Sequence, residues 1–220
     1  MIVPELVALP LKTADGRPLV HKFYRQADAP AGLLVAFPGN HYGVDGPLLY
    51  YPCEILGAEG WDTLAVSYGF QTAMKEPLED GLEPLIGECQ AAVLTALADR
   101  EYPRIGLVGK SLGAGIVAHL CGNQPELVSA RAAYLTPALG TPFFDPLFVK
   151  TEQPAYLAMG TQDRFFSPEA LKQLQTQKPF ELAIIEGADH SLDIPGNLKA
   201  SVEAVAQAVG GLLAFVRSNG

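Results

Sequence analysis

Six short apolar runs, separated by segments long enough to hold helices, constrain this chain more than any other feature. They are "GLLVAF" (32–37), "DTLAVSY" (62–68), "RIGLVG" (104–109), "ARAAYLT" (130–136), "PAYLAMG" (154–160) and "ELAIIEG" (181–187). Each is rich in Val, Ile, Leu or Ala and is bounded by Gly, Pro, Asp or Thr, the pattern of a buried strand. Two earlier runs, "ELVALPL" and "RPLVHKFY", flank "KTADGR", whose Asp15-Gly16 pair is a hairpin signal, so the chain is expected to open with antiparallel strands.

Helical patterns fill the intervals. "PLLYYPCEILGAEG" (47–60) is one, with Pro52 expected to kink it or delay its start. "EDGLEPLIGECQAAVLTALADR" (79–100) carries acids at its beginning and an arginine at its end, as the helix dipole favours. "SLGAGIVAHLCGN" (111–123) stops at Gly122 and Asn123, and "SPEALKQLQTQ" (167–177) opens with a serine cap and a first-turn proline. "NLKASVEAVAQAVGGLLAFVRS" (197–218) reads as a long amphipathic helix with a weak point at Gly210-Gly211. Strands alternating with helices give an α/β fold: a mostly parallel sheet of about eight strands with helices on both faces, in one domain spanning 1–220.

Composition narrows the partners. Hydrophobic residues make up 49% of the chain and charged residues 18%, which suits a well-covered parallel sheet. The net charge of -9, with no lysine or arginine cluster, disfavours nucleic acid and anionic membrane. The opening stretch has no basic region and carries Pro4, Glu5 and Pro10, so it reads as neither a secretory signal nor a membrane helix, and no later apolar run is expected to approach the roughly 18 residues of a membrane span. Cys53, Cys89 and Cys121 are far apart and form no metal or redox spacing, which leads us to expect buried free thiols in a reducing, cytoplasmic setting.

"RIGLVGKSLGAG" (104–115) admits two chemistries. Gly109-Lys110-Ser111 fits the end of a phosphate-binding loop, but the glycine required five positions earlier is Arg104, and the intervening residues read as strand rather than as a loop. The alternative is a nucleophile elbow, G-x-S-x-G, where a serine sits on a tight strand-to-helix turn and only very small residues fit two positions away. Gly109 and Gly113 meet that demand. An acid and a histidine must then follow, each just beyond a later strand. "GTQD" places Asp163 after "PAYLAM", and "GADHSL" places His190 after "ELAIIEG".

With these motifs the chain resembles the α/β-hydrolase superfamily over nearly its whole length. It is most similar to small, lidless serine hydrolases of dienelactone-hydrolase-like type. Dienelactone hydrolases proper use cysteine where Ser111 stands, so that activity is not carried over. The resemblance implies Ser111 as nucleophile, His190 as general base and acid, and Asp163 as the group that orients the imidazole. Asp145, in "TPFFDPLF", is the rival acid, and Asp189 is expected to be solvated. The oxyanion hole would use the backbone N–H of Leu112 and a second one from "PGNHYG", with Asn40 the first choice and His41 the alternative.

His41, Tyr42 and Phe165 are candidates for the substrate pocket, with Phe143, Phe144 and Phe166 beside them. His119 lies two helical turns past Ser111, too far for proton transfer, and His21 has no functional role assigned. Lys110 has none either. The interval Pro137 to Gln153 is too short for a helical lid, which points to small soluble carboxylic esters as substrates. Thioester cleavage by the same residues and a non-catalytic binding protein on this fold are the alternatives. No metal or cofactor is expected, and the oligomeric state is left open.

Overall fold

The apolar runs lie side by side. The structure, a computed structural model, describes residues 4–73 and 81–218. Among them the strands are β1 (Glu5–Val7), β2 (Lys22–Arg25), β3 (Leu33–Phe37), β4 (Asp62–Ala65), β5 (Ile105–Lys110), β6 (Arg131–Leu135), β7 (Ala155–Gly160) and β8 (Glu181–Ile185). They form one sheet in the order β1-β2-β4-β3-β5-β6-β7-β8. The strands from β4 through β8 pair in parallel, while β1 with β2 and β2 with β4 pair antiparallel. The register sets Phe37 opposite Gly109 and Lys110 opposite Leu135, so β3, β5 and β6 end together.

Helices cover both faces: α1 (Pro47–Ala58), α2 (Gly69–Thr72), α3 (Leu82–Ala98), α4 (Leu112–Asn123), α5 (Asp145–Lys150), α6 (Pro168–Gln177) and α7 (Leu198–Arg217). Side chains alternate across a strand. Leu33, Val35, Phe37 and Leu107 therefore join α3, α4 and α6 in one core, while Leu34, Ala36 and Val108 join α1 and α7 in the other.

Several local expectations are corrected. Pro52 does not delay α1, which starts at Pro47 and runs through it. Arg100 is not in the last turn of α3; it lies beyond Ala98, donates to Gln26 O and sits 3.5 Å from Asp62. Glu79 and Asp80 lie outside the described residues. Gly210-Gly211 is no break in α7, and Gly211 is needed there because a Cβ would lie 2.5 Å from the Tyr156 hydroxyl. The hairpin around Gly16 forms, but its legs pair only at Lys12 and Pro18 before the chain enters the sheet. The expectation about membrane length is also corrected: α7, at 20 residues, is long and apolar enough to cross a membrane by length and composition. Its Ala208, Val209, Leu212, Leu213 and Val216 are spent on the sheet.

Candidate active site

Ser111 stands between β5 and α4 with φ 54° and ψ -109°. A side chain held in this sparsely populated region costs about 1–3 kcal/mol, so the surroundings must impose the conformation. They do so with backbone. A Cβ on Gly109 would lie 2.6 Å from Ala114 N, and one on Gly113 would lie 2.7 Å from Pro38 O, so three main-chain segments meet where only hydrogen atoms fit. The Ser111 N–H donates to Leu135 O at 2.9 Å, which ties the turn to β6.

The two downstream residues reach this turn from the ends of β7 and β8. His190 Nε2 lies 2.9 Å from Ser111 Oγ, and His190 Nδ1 lies 2.8 Å from Asp163 Oδ2. The Asp163 side chain is fully buried, while that of His190 keeps 23% exposure. Asp163 Oδ1 also accepts the Phe165 N–H at 2.9 Å, so both carboxylate oxygens are engaged and its orientation is fixed. A carboxylate at Nδ1 selects the tautomer with the proton there, leaving Nε2 as the acceptor that faces the serine.

Asp145, the rival acid, is elsewhere engaged: it begins α5 and accepts the Gly140 N–H. Asp189 is not simply solvated. Its Oδ1 accepts the N–H groups of Ser191 and Asp193, building the turn that carries His190.

The loop between β3 and α1 faces the start of α4 through the contact of Gly113 with Phe37 and Pro38. Neither Leu112 nor Asn40 has a backbone acceptor for its N–H, so both donors are uncommitted among the described residues. His41 is exposed, with Nε2 3.4 Å from Asn40 Nδ2.

A family model for an α/β hydrolase domain matches residues 71–216. The chain belongs to that family. The fold of this α/β hydrolase recurs in many solved structures. An α/β serine hydrolase homologue from Coxiella burnetii is 17% identical, with 96% of this chain and 98% of that one covered and a TM-score of 0.71. A dienelactone hydrolase from Anabaena variabilis is 18% identical, with 97% and 99% covered and a TM-score of 0.68. An α/β serine hydrolase without lid from Xanthomonas campestris is 14% identical, with 98% and 97% covered and a TM-score of 0.71. A search of curated proteins finds no match.

Other residues of the α/β hydrolase shape the site without having been legible as site residues. Tyr68 Oη donates to Pro38 O at 2.8 Å, and Gln71 Nε2 donates to Gly39 O at 2.9 Å, so the loop that carries Asn40 is braced from behind by α2 and the residue before it. Tyr42 is partly buried and its hydroxyl accepts the Leu48 N–H at 3.0 Å, an anchoring role in addition to any contact with substrate. Phe165 packs edge-on against His190 with ring centroids 5.4 Å apart. Phe144 is fully buried against Tyr134 and Phe148 and so belongs to the core, while Phe143 packs on Gly115. The connection from β6 to β7 holds only the six-residue α5. Among the described residues no three His, Cys, Asp or Glu side chains are grouped to hold a metal.

Proposed function

We propose that this α/β hydrolase cleaves small soluble carboxylic esters through Ser111, His190 and Asp163. The observation that carries the reading is the unbroken chain of contacts from Ser111 Oγ through the imidazole to Asp163. His190 Nε2 takes the hydroxyl proton as Oγ attacks the carbonyl carbon, and the imidazolium that forms is stabilised by the Asp163 carboxylate. The tetrahedral oxyanion would be met by the Leu112 N–H, at the N-terminus of α4, and by the Asn40 N–H. Collapse expels the alcohol, which receives its proton from His190 and leaves an acyl-Ser111 ester. Water, deprotonated by the same imidazole, then releases the acid.

Two features support small substrates. Among the described residues, the connection after β6 holds only the six-residue α5 and no helical lid. Phe165 offers an apolar wall beside His190 that suits a short acyl chain. Thioesters would be cleaved by the same steps.

A fluorophosphonate probe should label Ser111, and short p-nitrophenyl esters should be hydrolysed. Ser111→Ala should abolish labelling and lower kcat by roughly a millionfold, as for other serine hydrolases that lose the nucleophile. Folded protein that neither labels nor turns over esters would overturn the assignment and favour a binding role on the same fold.

A further inference from the structure

Lys110 precedes the nucleophile and is buried, with 3% of its surface exposed. An ammonium inside a protein ordinarily finds a carboxylate or a set of carbonyls. Among the described residues, Lys110 Nζ makes neither a hydrogen bond nor an ion pair. Its pKa is lowered to about 8, first by burial, with Arg164 adding to the drop and Asp163 and Asp189 opposing it. Its one directed contact is with an aromatic face: Nζ lies 5.1 Å from the ring centroid of Tyr42.

Tyr42 is the residue around which the β3–α1 loop is built. Its carbonyl accepts the Gly39 N–H at 2.9 Å, closing the turn that contains Asn40 and His41. Its hydroxyl accepts the Leu48 N–H in the first turn of α1. Gly46 lies flat against the ring, where a Cβ would come 2.8 Å from the Tyr42 hydroxyl oxygen. At Gly39, a Cβ would come 3.1 Å from both Lys110 Cδ and Tyr42 Cβ, so the lysine stem, the tyrosine and the turn are in mutual contact. The pinned ring thus fixes the turn from one side, while Tyr68 and Gln71 hold its carbonyls from the other.

We propose that Lys110 is a positioning residue: by holding the Tyr42 ring it locks the β3–α1 turn, and with it the Asn40 N–H, against the nucleophile elbow. The residue next to Ser111 therefore couples the placement of the nucleophile to the placement of the oxyanion donor. A cation on a partly buried ring contributes enough to bias a small loop, and it leaves the Asn40 N–H free. The proposal rests on Ser111 being the nucleophile and Asn40 a donor to the oxyanion.

The experiment is steady-state hydrolysis of p-nitrophenyl butyrate by the full-length protein, alongside inhibition by a trifluoromethyl ketone that mimics the tetrahedral state. Lys110→Met should lower kcat by about 10- to 100-fold through misplacement of one donor, leave KM within about twofold, and weaken the ketone by the same factor as kcat. Lys110→Arg should recover most of the loss, because a guanidinium also sits on an aromatic face. Tyr42→Ala should fall at least as far as Lys110→Met, and adding Lys110→Met to it should lower kcat no further. A Lys110→Met enzyme within about twofold of the parent in kcat, a loss confined to KM, or a Lys110→Arg enzyme no better than Lys110→Met would each overturn the proposal. If the parent protein itself neither turns over the ester nor labels at Ser111, the hydrolase reading fails; a defect in the inference alone appears only in the Lys110 and Tyr42 variants.

Discussion

Replacing Lys110 with methionine keeps an unbranched side chain of similar length and deletes the charge, so the same variant expected to slow turnover should make the protein more stable. The ammonium is held to about 8 instead of its usual 10.5. A drop of that size corresponds to about 3 kcal/mol of native-state cost for the charged form. Loss of the contact with Tyr42 gives back about 1 kcal/mol, so the net gain is about 2 kcal/mol. For a chain of this length that should raise Tm by about 4–8 °C. The sign with pH follows from proton binding. The native pKa is depressed, so between pH 8 and 10.5 the unfolded chain holds more protons, and the stability of the parent rises through that window. Urea unfolding of both proteins at pH 7, 8, 9 and 10 should therefore show a gap in favour of Lys110→Met that is full at pH 7 and shrinks steadily above pH 8. A variant less stable than the parent at pH 7, or a gap that does not change with pH, would refute the reasoning and make Lys110 an ordinary structural residue.

Other outcomes follow from the geometry. Asp163→Asn keeps an acceptor for the Phe165 N–H but presents an amide to His190 Nδ1, selecting the wrong tautomer; kcat should fall by roughly 10⁴ with Tm nearly unchanged, measured by ester turnover and calorimetry. Gly113→Ala sets a methyl against the backbone carbonyls of Phe37 and Pro38, which cannot swing aside, and should cost at least about 3 kcal/mol in chemical unfolding. His21 is held to about 4 by burial, with Nδ1 accepting the Ser67 N–H. Its native pKa lies below the unfolded one, so its contribution is present above pH 6.5 and is lost as pH falls toward 4. His21→Phe should remove about 3 kcal/mol of acid sensitivity from a pH series of unfolding curves, and a series parallel to the parent's would count against this account.

The parallel core was legible because its strands are buried on both faces and so appear as unbroken apolar runs; β3, β6 and β7 fall within theirs, and β5 runs one residue past its own, to Lys110. The edge was less legible. "ELVALPL" yields only the three residues of β1, since an edge strand half-open to water carries a weaker pattern and Pro10 cannot donate to a ladder. Ser111, Asp163 and His190 could be found because each follows a recognisable strand, and Asp145 ranked below Asp163 because no apolar run directly precedes "TPFFDPLF". The braces on the β3–α1 loop left no trace in the sequence. Tyr68 and Gln71 grip main-chain carbonyls some thirty residues away, and any residue type presents a carbonyl. Lys110 was visible as a letter but not as a buried charge, because a lysine in an elbow motif looks the same whether its tip is in water or on a ring.

The crowding of Gly109, Gly113 and the end of β3 has an evolutionary consequence. What sets the position of Ser111 is peptide against peptide, and peptides do not mutate. Apart from Asp163 and His190, residues in the loops after β6, β7 and β8 can change shape, size or polarity while Ser111 Oγ stays where the sheet puts it. The position of Ser111 is thus inherited with the fold, while the surface around it stays open to change one side chain at a time.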